Sequence, residues 1–114
     1  MKIVLDYKKE PELFNKVAQY WAKEIIKTKK TQVRNFYDKV LELYEKSKTE
    51  SFEDVLPFVK MLNSKVEYAV NRKVASYEFR DMMKECINQV NSKKDLENFK
   101  LFFEAVVGFF KGDK

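Results

Sequence analysis

Residues 102–110 read FFEAVVGFF, and this stretch decides the fold. Eight of its nine residues carry no charge, and Glu104 is the exception. A surface helix has one polar side, but here the apolar residues continue around the whole circumference, as in a helix that is covered on several sides. Either four neighbouring helices or a second copy of the protein provides the cover, and we expect a central helix together with some self-association.

Glu104 needs a partner if it lies inside such a helix. An unpaired carboxylate in apolar surroundings is costly or becomes protonated. We therefore expect a structural Arg or Lys beside Glu104, rather than a substrate.

The rest of the chain has helical spacing from residue 12 onward. Expected helix starts are Pro11 in a first turn, Thr31, Ser51 and Ser92 as N-caps, and Ser76 at the beginning of helix four. On helix three the expected core residues are Val55, Phe58, Leu62, Val66 and Ala69, with Asn71 as a left-handed C-terminal residue. On helix five the positions expected to be solvent-exposed are Glu97, Asn98 and Lys100. The pattern predicts one all-α domain over residues 1–114, a compact bundle of about five helices, with residues 1–11 irregular or extended.

Composition excludes several classes of function. The chain has two glycines, no histidine and one cysteine, so it lacks a phosphate-binding glycine loop, a histidine-dependent catalytic triad and a zinc site with thiolate or imidazole ligands. Cys86 lies on the apolar side of its helix and is expected to be a buried packing residue. We expect no enzyme activity, no cofactor and no metal. A secretory signal and an apolar run of transmembrane length are both missing, which favours a cytoplasmic protein.

The charge distribution favours a polyanionic partner. The formal net charge is +5, and residues 1–30 hold eight basic and four acidic side chains, a balance of +4. A basic end suits a polyanion, although moderately basic proteins without such a partner are common.

The first candidate cluster is KTKKTQVR, with Lys27, Lys29, Lys30 and Arg34 around the start of helix two. A helix N-terminus has unpaired N–H groups and a positive dipole end, which together favour phosphate. The alternative is a solvated, lysine-rich turn between helices.

The second candidate cluster is a stripe on helix three. At helical spacing, Met61, Lys65, Tyr68 and Arg72 fall on one narrow stripe beside the apolar face. Lys65 and Arg72 could hold successive phosphates while Tyr68 stacks on a base or ribose. The alternative is a helix flank whose long side chains cover the core.

Three blocks resemble the signature blocks of a known family. They are TQVRNFYDKV (residues 31–40), LPFVKMLNSKVEYAVNR (56–72) and FKLFFEAVVGFFK (99–111). In this order and spacing they resemble the small subunit of the type III-A CRISPR–Cas effector, the Csm complex, from about Lys29 to Lys111.

The resemblance implies an all-helical, non-enzymatic subunit that assembles with copies of itself and with other Csm subunits, and that holds the duplex of crRNA and target RNA. The basic positions that it implies are Arg34, Lys65 and Arg72. Where the family usually has a lysine this chain has Asn63, and Lys60 or Lys73 is a possible substitute. The FEA element matches residues 103–105, within which we interpret Glu104 as a structural anchor.

The complete set of expected RNA-binding residues is Lys29, Lys30, Arg34, Lys65, Arg72 and Lys73. Two alternatives stay open at this point. One is a helical protein–protein interaction module without direct RNA binding, and the other is the analogous type III-B small subunit.

Overall fold

The computed structural model describes residues 1–112, so Asp113 and Lys114, the end of the expected domain, lie outside the described residues. A π-helical turn at Leu13–Val17 continues into α1, Ala18–Glu24. The other helices are α2 (Lys30–Lys46), α3 (Phe52–Asn71), α4 (Tyr77–Asn88) and α5 (Lys93–Phe109). Within residues 1–112 the protein thus has five α-helices and no strand, which confirms the all-α prediction.

Helix α5 lies at the centre of the bundle. It packs against α1, α2 and the π-helical turn, while α3 packs mainly on α4. The fully buried side chains of α5 are Leu96, Phe99, Phe102, Phe103 and Val106. Phe103 lies 5.6 Å from the ring of Tyr37 and 6.2 Å from the rings of Phe79 and Phe99, centroid to centroid. The expectation of a central helix is correct, except that a strip with Glu104 and Gly108 remains exposed.

Helices α4 and α5 each begin at a serine whose side chain caps the first turn. The hydroxyls of Ser76 and Ser92 accept hydrogen bonds from the backbone N–H groups of Phe79 and Asp95, at 3.1 Å each. Asp95 in turn accepts from the backbone N–H of Asn91 at 3.0 Å. The serine caps satisfy N–H groups that the first turns leave unpaired, and Asp95 also fixes the chain just before the N-cap of α5.

Helix α2 begins earlier than predicted, because tertiary contacts fix its start. Thr31 is not the N-cap: Lys29 is, with an extended backbone. The N–H of Lys29 donates to the carbonyl of Val74 at 3.2 Å, and the buried Thr28 hydroxyl lies 3.0 Å from that of Ser76. These bonds hold the chain just before the helix, so a contact some 45 residues distant outweighs the local capping preference of threonine. Ser51 is the N-cap of α3 as predicted, but its side chain makes no capping hydrogen bond.

Two expectations on α3 are wrong. Phe58 is 55% exposed, and the neighbouring Val59 is buried instead. Asn71 is the last helical residue, and Lys73 takes the left-handed conformation, with φ 64°. The N–H of Val74 donates to the carbonyl of Ala69 and that of Lys73 to the carbonyl of Val70, the two bonds of a Schellman motif.

Residues 1–6 form what we call the N-terminal strap, an irregular segment tied down by side chains of the helices. Ile3 and Leu5 are buried. Gln89 clamps both: its Nε2 donates to the Ile3 carbonyl at 2.8 Å and its Oε1 accepts from the Leu5 N–H at 2.9 Å. Asn98 Nδ2 donates to the Leu5 carbonyl at 3.0 Å. The prediction that Asn98 is solvent-exposed is therefore wrong. It is buried, because the strap covers this face of α5.

Candidate nucleic-acid interface

Helices α2 and α3 are separated by a groove that we call the α2–α3 groove. Its volume is about 350 Å³. Gln32, Asn35 and Lys39 line it from α2, and Ser64, Lys65, Tyr68 and Arg72 line it from α3. On α2 the residues recur at spacings of three and four, as do Lys65, Tyr68 and Arg72 on α3, so each row lies along one side of its helix. Phe36 and Ala69 also line it and are buried, so they form its floor.

The α2–α3 groove is positively charged. Lys39, Lys65 and Arg72 are exposed, and among residues 1–112 none of the three is in an ion pair. Of the described residues that line the groove, none is acidic. The Cζ atom of Arg72 lies 5.6 Å from the centroid of the Tyr68 ring. Cations beside an exposed ring are a combination that suits a nucleotide strand.

The structure separates the predicted RNA-binding residues into four places. Lys65 and Arg72 share the α2–α3 groove. Lys73 lies at the α3–α4 turn, where it lines a second recess together with Lys27. Lys29 and Lys30 are exposed at the start of α2. Arg34 is exposed but does not line the groove, since it is rotated about 100° around α2 from Asn35.

Sequence reasoning missed Lys39. It lies seven residues after Gln32, at the spacing that repeats a helical face, but only the packing of α2 against α3 shows which face of α2 borders the groove. Lys60, considered as a substitute for the lysine missing at Asn63, donates to the Ile87 carbonyl at 3.0 Å. It therefore holds the end of α4.

The groove changes character toward the end of α2. This continuation, which we call the acidic end because it is lined by carboxylates as well as lysines, has a volume of about 360 Å³. Its apolar lining comes from Phe58, Met61, Leu43 and Leu62. Phe58 is 55% and Met61 47% exposed. Its carboxylates are those of Glu42, Glu50 and Asp54, and its lysines are Lys39, Lys46 and Lys65. Carboxylates next to exposed apolar groups suit a protein partner better than a polyanion.

Glu104 is exposed, contrary to the idea that it lies inside the bundle. One of its oxygens lies 2.8 Å from the Lys100 ammonium group, one turn earlier on α5, and accepts a longer bond of 3.4 Å from the Tyr37 hydroxyl. The hydrogen bond from Lys100 lowers the pKa of Glu104, and the same bond raises the pKa of Lys100. The cationic neighbour of Glu104 is thus a lysine of its own helix.

Cys86 is completely buried, and burial raises its pKa well above the ordinary value of a thiol. A buried thiol of this kind is a poor nucleophile. Among residues 1–112, no three carboxylate or thiol side chains converge as a metal site would require. In the same range no helix is both long and apolar enough to cross a membrane.

Comparison with known proteins gives one family. The family model described as Csm2 Type III-A matches residues 8–114. No curated protein and no solved structure matches the chain. The match confirms the resemblance of the three sequence blocks and favours the type III-A over the type III-B assignment. A match over nearly the whole chain shows the family, so the protein belongs to the Csm2 family of type III-A and is a small subunit of a Csm complex.

Proposed function

We propose that this subunit binds RNA through phosphate contacts and lines the channel that holds the duplex of crRNA and target RNA in the Csm complex. The observation that carries the proposal is the α2–α3 groove, where Lys39, Lys65 and Arg72 converge without a carboxylate among the described lining residues. Phosphate contacts of this kind are independent of base sequence, and they weaken steeply with salt.

The other predicted residues form flanking contacts in this proposal. Lys29 and Lys30 lie at the start of α2, where the positive end of the helix dipole favours a phosphate. Lys73 and Lys27 border the recess at the α3–α4 turn. Arg34 lies on the outer side of α2, so we assign it a separate phosphate contact outside the groove.

The proposal is tested by alanine variants and salt titration. We expect Lys65→Ala and Arg72→Ala each to weaken RNA binding and to reduce the slope of log affinity against log salt by roughly one. Lys16→Ala is the matched control, because Lys16 is an exposed lysine on the π-helical turn, which packs against α1 and α5. Binding is measured with the assembled complex and with the free chain, using fluorescence anisotropy of labelled RNA. Wild-type affinity and slope in both groove variants would refute the site.

We further propose that the subunit is non-catalytic and works in the cytoplasm. Csm2 small subunits are in general non-catalytic structural components. The chain has no histidine, and its one cysteine is buried with a raised pKa. The side chain that most often serves general acid–base catalysis near neutral pH is therefore missing, and the one thiol is inaccessible.

A second proposal concerns protein contacts, because two apolar surfaces are exposed. One is the acidic end of the groove. The other, which we call the α1–α5 patch, consists of Ile26, Gly108 and Phe109 over the buried Ala22, with Lys23 and Lys111 at its edge. Ile26 is 44% exposed.

The two surfaces lie at opposite ends of α2, and one has lysines at its edge while the other is lined by both carboxylates and lysines. Tyr37 contacts Glu104 and Tyr44 contacts Glu97, so α5 runs antiparallel to α2 and the α1–α5 patch lies beside the start of α2. The acidic end lies beside the last turns of α2. We propose that the α1–α5 patch of one copy docks on the acidic end of the next, with Lys23 and Lys111 facing the carboxylates. Such a head-to-tail contact joins subunits into a ring where the rotation between copies closes and into an open row where it does not.

A further inference from the structure

The side chain of Tyr68 is the feature of the α2–α3 groove that phosphate binding does not explain. It is 64% exposed on the row that carries Lys65 and Arg72. Duplex RNA presents phosphates and sugars to a protein, while its bases are stacked inside the helix. A surface that only holds a duplex backbone needs cations and gains nothing from an exposed aromatic ring.

We propose that Tyr68 and Arg72 form a stacking platform for an unpaired base, so that the α2–α3 groove binds, in addition to phosphates, a nucleotide of the RNA that is not base-paired. This inference rests on the proposed function, because it concerns the same groove and the same RNA. It adds a ligand, the unpaired base, which phosphate contacts alone do not require.

The position of Tyr68 between two cations supports a nucleotide strand. Lys65 and Arg72 are seven residues apart, or about 10 Å along the helix axis, with Tyr68 between them. A strand that follows the row thus has cations for its phosphates on both sides of the ring. Stacking on an aromatic ring tolerates every base, since each base has a π-face.

The remaining groups of the groove suit the edge of a base. Gln32, Asn35 and Ser64 are neutral side chains with hydrogen-bonding groups, and they line the groove with Tyr68. The volume of about 350 Å³ lies in the range of small-molecule sites. Lys39 adds a further cation on the opposite side.

Tyr77 is a second exposed tyrosine beside an arginine, and it serves as a comparison for Tyr68. It is also 64% exposed, with the Cζ of Arg80 5.0 Å from its ring centroid. Arg80, however, lies 3.6 Å from Glu67 and 3.4 Å from Asp81, so its charge is balanced. Arg72 is in no ion pair among residues 1–112. If exposure of a tyrosine beside an arginine were enough, Tyr77 would stack as well; our inference restricts stacking to Tyr68.

The experiment compares three RNA probes with the full chain at low salt, where phosphate binding is strongest. The probes are a short unstructured single strand, the same strand with abasic ribose units, and a blunt duplex of the same sequence. The variants are Tyr68→Leu, Tyr68→Phe, Tyr77→Leu, Lys65→Ala and Arg72→Ala. Binding is measured by fluorescence anisotropy, and circular dichroism verifies that each variant is folded.

We expect Tyr68→Leu to weaken binding of the normal single strand roughly tenfold. Tyr68→Phe retains the ring and should retain the affinity. Binding of the abasic strand and of the duplex should change little in Tyr68→Leu, and Tyr77→Leu should bind all three probes like wild type.

The contrary outcomes distinguish the two proposals. If Lys65→Ala and Arg72→Ala weaken binding but Tyr68→Leu does not, the phosphate contacts stand and the stacking platform is refuted. Equal weakening of all three probes by Tyr68→Leu, or an equal effect of Tyr77→Leu, also refutes the platform. If the wild-type chain binds no probe at millimolar concentration, both the proposed function and this inference are wrong.

Discussion

Asn98 is a polar residue inside the central helix, and its burial depends on the N-terminal strap. Its Nδ2 donates to the Leu5 carbonyl at 3.0 Å, while its Oδ1 has no partner among the described residues. Substitution by alanine would leave the Leu5 carbonyl unpaired in a buried place. It would also remove an oxygen that is already unsatisfied, which offsets part of the loss.

We therefore expect Asn98→Ala to lower the free energy of unfolding by about 1–2 kcal/mol, the lower part of the range for a buried group that loses its partner. Asn88→Ala is the control, because Asn88 is exposed at the end of α4. Urea denaturation at one protein concentration measures both. Equal stabilities of the two variants would contradict the role assigned to the strap.

The ion pair between Glu104 and Lys100 gives a prediction with a defined pH dependence. Because the pKa of Glu104 is lowered in the folded state, its contribution is present above the ordinary carboxyl pKa and is lost as the pH falls through the lowered value. The pKa of Lys100 is raised, so its contribution is present below the ordinary lysine pKa and is lost only as the pH rises through the raised value.

We expect Glu104→Gln to cost about 0.3–0.5 kcal/mol at neutral pH, since an exposed pair one turn apart is screened by water. Glutamine retains an acceptor for the Tyr37 hydroxyl, so the change isolates the charge. The difference from wild type should disappear in acid, as measured by thermal unfolding at a series of pH values. A difference that persists below about pH 3 would mean that packing, not charge, is responsible.

Single residues also show where sequence patterns stop being informative. Phe58 and Val59 are adjacent apolar residues about 100° apart on α3, and only Val59 is buried in the core. Both positions fit an apolar stripe, so the pattern alone does not separate them. The burial of Asn98 depends on Leu5, 93 residues earlier, and no local pattern contains that contact.

At the scale of the helices, the periodicity of apolar residues predicts well that a helix is present, and it predicts less well where that helix begins and ends. The caps of α4 and α5 follow from Ser76 and Ser92, because a serine hydroxyl satisfies a nearby N–H. The start of α2 depends instead on the bond from Lys29 to Val74 across the bundle. Local chemistry is sufficient where the partner lies within one turn, and it fails where the partner lies on another helix.

The end of α3 gives a prediction at this scale. Lys73 has φ 64°, a left-handed conformation that costs a lysine more than a glycine. We expect Lys73→Gly to raise the free energy of unfolding by about 1 kcal/mol. Lys73→Ala removes the same charge without relieving the backbone, so it is the matched control.

Chemical denaturation of the two variants separates backbone from charge. A gain in Lys73→Gly with no gain in Lys73→Ala is the expected result. Equal stabilities would mean that the Schellman motif places no strain on this residue. The two variants also test RNA binding, because both should lose the same phosphate contact if Lys73 makes one.

At the scale of the whole molecule, the candidate site was predictable in part. The row of Lys65, Tyr68 and Arg72 follows from the spacing on α3 alone, and the three residues do line one groove. The opposing row on α2 was not predictable, because it depends on which side of α2 faces α3. That packing brings Lys39 into the groove and leaves Arg34 outside it.

The proposed head-to-tail contact makes the last prediction. Each copy carries two different surfaces, so a substitution in one leaves the other intact. Ile26→Glu disrupts the α1–α5 patch and Phe58→Glu disrupts the acidic end, where an added carboxylate also opposes docking. Both side chains are largely exposed, 44% and 55%, so the substitutions should leave the bundle folded.

We expect wild type to form species whose mass increases with concentration in analytical ultracentrifugation, whereas each variant alone remains monomeric. A mixture of the two variants should form a dimer and stop there, because the intact α1–α5 patch of Phe58→Glu docks on the intact acidic end of Ile26→Glu and only disrupted surfaces remain. A self-complementary contact through either surface alone would instead give wild-type dimers that one variant retains. A monomeric mixture would show that the two surfaces do not bind each other.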